Sequence, residues 1–151
     1  MSAEPSPVPE HRIVVGVDGS ASSNAALRWA LRQAHLTGAV VEAVTAWEFP
    51  VVYGYPAPML NGVDFEELAT QIVKDAITEA SSGAEAEPIY CKVIEGNAAA
   101  ALLRESAGAD LLVVGSRGHG GFVEALLGST GQHCVHHATC PVVVIRDSVT
   151  D

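Results

Sequence analysis

Five stretches of the chain read as near-continuous apolar runs: Arg12 to Val17, Ala39 to Trp47, Pro88 to Ile94, Asp110 to Gly115 and Pro141 to Arg146. Unbroken runs of this length suit strands of a parallel sheet whose two faces are both covered by helices. Between them the apolar spacing becomes helical. Ser20 caps a first helix with an apolar stripe of Leu27, Ala30, Leu31 and Ala34, and Gly38 supplies a left-handed stop. Asp64 with Glu67 three residues on resembles a capping box for a second helix, expected to bury Leu68, Ile72, Ala76 and Ile77 and to end at Gly83. Asn97 caps a third, with Leu102 and Leu103 inside and Gly108 as the stop, and a fourth runs from Gly128 or Ser129 to about Ala138. Glu48 to Gly62, with Pro50, Pro56 and Pro58, is too rich in proline for an element and reads as a long connection folded over one end of the sheet.

Strand and helix in alternation call for right-handed crossovers and an α/β fold, a single doubly wound open parallel sheet of the Rossmann-like or flavodoxin-like kind. The 151 residues, 48% apolar and 17% charged, are enough for one core and argue against disorder. One domain over residues 11–147 is expected, between an N-terminal tail, 1–10, and a short tail at 148–151. Eighteen acidic residues against eight basic ones give a net charge of -10, which repels polyanions, so neither nucleic acid nor a membrane surface is an expected partner. No apolar run of about eighteen residues exists to span a bilayer, and Met1 to Glu10, with three prolines and no Lys or Arg, does not read as a signal peptide. Cys91, Cys134 and Cys140 are odd in number and scattered, which suits a reducing, cytoplasmic compartment and core packing better than a disulfide framework.

Ligands of open parallel sheets bind beyond the carboxyl ends of the strands, where strand order reverses. After the first strand comes Val17-Asp18-Gly19. After the fourth comes Gly115-Ser-Arg-Gly118-His-Gly-Gly121, then Gly128-Ser129-Thr130 at a helix start. Glycines let backbone amides approach an anion closely, and a helix start adds unpaired N–H groups and a positive dipole end. Together they form a cradle for two or three phosphates. It is not a P-loop, because the only lysines, Lys74 and Lys92, lie far away in sequence, and the glycine spacing is not that of a dinucleotide fingerprint. Arg117 and His119 are the local cation candidates, so neutralisation would draw on backbone dipoles and Mg²⁺. Asp18 suits a ribose hydroxyl, a water-bridged metal, or simply the cap of the first helix beside Ser20.

The pattern Gly115-x2-Gly118-x9-Gly128-Ser129, with Val15-Gly16-Val17-Asp18-Gly19-Ser20 before it and Cys140-Pro141-Val142-Val143-Val144 after it, resembles the universal stress protein family from Arg12 to about Arg146. The resemblance implies strand order 3-2-1-4-5, a homodimer through the last strand, and ATP binding. By position it implies triphosphate contacts from Gly118, Gly128, Ser129 and Thr130. It implies ribose contacts from Asp18 and Gly115, and adenine contacts from Val17 and the backbone of Ala46. The implied role is a dimeric stress-response regulator whose nucleotide orders the glycine-rich loop. Independently, Val142 to Ile145 form a β-prone apolar strand at an expected sheet edge, which invites pairing with its copy.

A slow ATPase or self-phosphorylating enzyme, and a nucleotide-free dimeric interaction module, are the alternatives. Fast turnover is not expected, since charge clamps on a transferred phosphoryl group and a nucleophile elbow are lacking. The tail motif His133-Cys134-x-His136-His137-x2-Cys140 tempts a metal reading, but its ligands would come from one continuous helix leading into a strand. No metal site is expected there. The cysteines should pack as small apolar groups and the histidines face solvent or the dimer partner, with Cys91, Trp29 and Trp47 in the core.

Overall fold

The computed structural model describes residues 11–49, 51–52, 55–56, 62–81, 89–117 and 127–146. In chain order the elements are β1 (Arg12–Gly16), α1 (Ala21–Thr37), β2 (Val40–Trp47), β3 (Val51–Val52), β4 (Tyr55–Pro56), α2 (Phe65–Ser81), β5 (Ile89–Glu95), α3 (Ala98–Glu105), β6 (Leu111–Gly115), α4 (Ser129–His137) and β7 (Val142–Ile145). Five strands form one sheet in the order β5-β2-β1-β6-β7, with every pairing parallel. Counting only these strands, the order is 3-2-1-4-5, as expected of a doubly wound α/β fold. The expected tails, Gly83 and Gly118 lie outside the described residues.

Alternation along the strands sends side chains to two separate cores. Ile13, Val15 and Val17 of β1 and the following turn join Val41, Ala43 and Val113 beneath α1 and α2. Val14, Val44, Leu112 and Val114 face the other way, against Leu102 of α3 and Cys134 of α4. Most helix ends follow the sequence, but α3 stops at Glu105 with Ser106 as its C-cap, before the expected stop at Gly108. Ser20 caps α1 by accepting from Ser23 N–H, Gly38 ends it at φ 78° with its N–H on the Ala34 carbonyl, and Asn97 caps α3 by accepting from Ala100 N–H. Asp64 likewise accepts from Glu67 N–H at 3.0 Å before α2.

Three expectations are corrected. On α2 the buried face is Ala69, Val73 and Ala76, whereas Leu68 is 53% exposed and Ile72 and Ile77 only flank the core. The two stripes differ by one residue, or about 100° of rotation, and small side chains on the inner one let the helix approach the sheet. Cys91 is exposed rather than core, because β5 is an edge strand with a single neighbour, β2. The proline-rich connection holds a two-stranded antiparallel ladder in which Val51 pairs with Pro56 and Val52 with Tyr55; proline is tolerated in such an edge ladder. Trp29 packs half-buried against the first core, and Trp47 is also half-buried.

A small ionic cluster ties the lower part of the sheet to α3. Arg12 donates to the carbonyls of Glu105 and Ala107, each at 2.6 Å, and pairs with Glu42 at 3.3 Å. Its charge therefore sits at the negative end of the α3 dipole. Lys92 lies 3.0 Å from Glu42 as an off-axis ion pair and hydrogen-bonds Glu105 at 2.9 Å. Its hydrogen bond to Glu105, then its ion pair with Glu42, holds the Lys92 ammonium above its ordinary range. Burial pushes the Glu105 carboxyl up, but the Lys92 hydrogen bond and charge outweigh it and leave the carboxyl below its ordinary value.

Packing at Gly115 and Cys134 has measurable consequences. A Cβ at residue 115 would lie 2.5 Å from Ser22 Oγ and 2.7 Å from both Ser22 C and Ser23 N. Because backbone cannot yield cheaply, Gly115→Ala should cost about 1–3 kcal/mol in urea unfolding. Cys134 is wholly buried, and burial, reinforced by the neighbouring Cys140 thiol, pushes its thiol up to about 11. Native protein at neutral pH should thus react with a thiol reagent first at Cys91, and at Cys134 only on unfolding. With a folded value above the unfolded one, the contribution of Cys134 to stability is whole below about pH 9 and declines as pH rises through about 11.

Candidate functional site

The strand order reverses between β1 and β6, since the chain leaves β1 toward β2 on one side and returns to β6 on the other. At the carboxyl ends of these strands lies a cleft of about 420 Å³, lined by Gly16, Val17, Asp18, Ser23, Val44, Ala46, Ala98, Leu102, Val114, Gly115, Arg117, Gly128, Ser129, Thr130 and Gly131. Its volume lies within the usual range for small-molecule pockets, about 300–1,000 Å³. Of the nine residues singled out from the sequence, Val17, Asp18, Ala46, Gly115, Arg117, Gly128, Ser129 and Thr130 meet here. The ninth, Gly118, lies outside the described residues.

Local hydrogen bonding explains how segments a hundred residues apart converge. Ser22, nearly fully buried in the first turn of α1, donates its hydroxyl to the Arg117 carbonyl and accepts from Arg117 N–H at 3.3 Å. Ser20 Oγ also lies 3.3 Å from that carbonyl. The N–H of Ser116 donates to the Ile145 carbonyl at 2.8 Å, and the N–H of Gly128 returns the chain to the Ser116 carbonyl at 2.6 Å. Residues 116 and 128 are thereby held together at the end of β6, and α4 starts at the cleft.

Asp18 is half-buried, and its Oδ1 accepts from both Ser20 N–H, at 2.9 Å, and Ser20 Oγ, at 2.5 Å. One carboxylate oxygen therefore braces the turn into α1, while the residue still lines the cleft. The amide of Asp18 donates to Ser23 Oγ at 3.2 Å. Val17 N–H is spent on the Val44 carbonyl at 2.9 Å, which locks β1 to β2 at the cleft floor.

Chemically the cleft has two halves. Val17, Val44, Ala46, Ala98, Leu102 and Val114 make an apolar side that would accept a flat ring. The other half begins at Gly128, which caps α4 without a side-chain hydrogen bond. Among the described residues no side chain caps the first amides of α4, and the hydroxyls of Ser129 and Thr130 stand beside them. Arg117 and Asp18 are the charged side chains among the described lining residues. Neither lysine reaches it: Lys74 lies on α2, and Lys92 is engaged by Glu42 and Glu105.

Several lining residues were not anticipated from the sequence. Gly16 and Gly131 had a signal, each lying inside a glycine motif, and at both a Cβ would press within 2.8 Å of a leucine side chain, Leu102 and Leu127 respectively. Ser23 stood in the run after the first strand, as did Ser22, which holds Arg117 from behind the lining. Ala98, Leu102 and Val114 carried none, because core residues and cleft-floor residues look alike in sequence.

The profile of the Universal stress protein family matches residues 10–146. A universal stress protein from Mycolicibacterium smegmatis is 34% identical over 147 residues, covering 91% of this chain and 48% of that protein. The chain spans about half the length of the curated relatives it matches. Among solved structures, a universal stress protein from Lactobacillus plantarum superposes with a TM-score of 0.73 at 26% identity, covering 93% of this chain and all of that one. Another, a universal stress protein in complex with cAMP, gives a TM-score of 0.65 at 28% identity, covering 93% of this chain and all of that one. In sequence and in strand order alike, the chain belongs to the universal stress protein family.

Proposed function

We propose that the cleft binds an adenine nucleotide, ATP together with Mg²⁺, and that the protein works as a homodimeric, cytoplasmic stress-response regulator. The observation that carries this reading is the meeting of an apolar floor with the uncapped start of α4 at the point where strand order reverses. The floor beside Val17 and Ala46 suits the adenine. Asp18 and Gly115 stand where the ribose would lie, and Gly128, Ser129, Thr130 and Arg117 where phosphates would. The cAMP complex of a relative at 28% identity supports an adenine nucleotide as the ligand class.

Within this reading, Mg²⁺ would neutralise phosphate charge that a single arginine leaves uncovered. Asp18 is the one carboxylate among the described lining residues, so the ion would rest on phosphate oxygens and water more than on protein ligands. Binding acts by population shift: the nucleotide orders the segment between Arg117 and Gly128 and alters what the dimer presents. The dimer would form at β7, which among the described strands pairs with β6 alone, through the other edge of Pro141 to Arg146.

Calorimetry with Mg-ATP tests the site. The parent should bind in the micromolar range, roughly 7–9 kcal/mol, and the double variant Gly128→Ala/Ser129→Ala should bind about tenfold or more weakly. Equal affinity in the two proteins would remove the phosphate assignment. Mass spectrometry of small molecules released by denaturing the purified protein should find the adenine nucleotide. Val143→Lys should convert a sedimenting dimer to monomer with an unchanged far-ultraviolet spectrum; a variant that sediments like the parent would contradict the β7 interface.

A further inference from the structure

The fold divides the tail motif in two. Cys134 turns inward and is wholly buried, so it does not offer a thiolate at neutral pH. His133, His136 and His137 are exposed on α4. His133 and His137, one helical turn apart, have ring centroids separated by 4.5 Å with their planes inclined at 43°.

That separation carries coordination chemistry. An imidazole nitrogen binds a divalent ion at about 2.0–2.1 Å, and the ring centroid lies about 1.1 Å farther out, so each centroid would sit about 3.2 Å from the metal. Two rings in adjacent positions at 90° would then have centroids about 4.5 Å apart, whereas a tetrahedral angle would open them to about 5.2 Å. The observed spacing matches the right-angled case. His136 is next to His137 in sequence, and its ring centroid lies 6.4 Å from that of His137, beyond either chelate spacing.

We propose that His133 and His137 form a two-imidazole chelate on the outer face of α4 for a late first-row divalent ion that prefers right-angled coordination, Ni²⁺ or Cu²⁺, with water in the remaining positions. Neutral imidazole suits these ions, and a pair at i and i+4 on a formed helix needs only ring rotation to turn one nitrogen of each toward a shared ion. Binding would clamp the last turns of α4, the helix whose first residues, Ser129 and Thr130, line the cleft.

The test is isothermal titration of NiCl₂ into the full chain without an affinity tag or nucleotide. Ni²⁺ avoids the oxidation that Cu²⁺ would bring to the exposed Cys91 thiol. One saturable site per chain is expected. His133→Ala and His137→Ala should each weaken it by about tenfold or more, while His136→Ala and Cys91→Ser stay within about twofold of the parent. Ni²⁺ should also raise the thermal midpoint of the parent and leave that of His133→Ala unmoved. All four positions are exposed, so the variants should keep the parental circular dichroism. The absence of saturable binding by the parent, parental affinity in either His133→Ala or His137→Ala, or loss of binding in His136→Ala or Cys91→Ser would overturn the proposal. Because nucleotide is left out, each of these results stands apart from the fate of the ATP reading.

Discussion

The first turn of α1 lies directly on the end of β6, and the geometry of the cleft depends on that contact. Gly115 makes it possible, because the space a Cβ would take is filled by Ser22 and by the backbone of Ser23. Ser22 then spends its hydroxyl on both the N–H and the carbonyl of Arg117. A buried hydroxyl left unpaired would cost about 1–3 kcal/mol, so this exchange fixes where the chain leaves the sheet. With that exit fixed, the bond from Gly128 N–H to the Ser116 carbonyl sets where α4 begins.

Charge is distributed in keeping with this backbone-built site. The chain carries a net charge of -10 and only two lysines, and one of the two is held by Glu42 and Glu105 far from the cleft. Arg12 is likewise committed to the carboxyl end of α3. At the cleft the start of α4, with its aligned peptide dipoles, supplies partial positive charge without a mobile side chain. Among the described lining residues the charged side chains are Arg117 and Asp18, and the rest of the lining is apolar, glycine or hydroxyl-bearing.

The two edges of the sheet differ in a way that bears on assembly. At β5 the ion pairs of Lys92 reach inward to Glu42 and α3, and the exposed Tyr90 and Cys91 interrupt any continuous apolar surface. At β7 four consecutive β-branched residues, Val142 to Ile145, are all half-buried and pair on one side alone. Charged side chains on an edge discourage pairing, and the uncharged β7 edge has none of them between Val142 and Ile145. The relatives are about twice as long as this chain, so a second copy would bring an assembly of it to a comparable size.

Much of this was legible in the residues themselves. Helix ends written by Ser20, Gly38 and Asn97 formed as their chemistry dictates, since a cap is a local hydrogen bond that needs no distant partner. The five apolar runs became the five parallel strands, and glycine motifs marked the cleft because close backbone approach excludes a Cβ. Tertiary packing alone chose between the adjacent stripes of α2, leaving Leu68 outside and Ala69 within, because both satisfy the same helical period. It also put Cys91 on an exposed edge and joined Arg12, Glu42, Lys92 and Glu105 into one cluster. Contacts between residues 13 to 93 positions apart depend on how the sheet is ordered and covered, and a periodic pattern read along the chain carries no term for that.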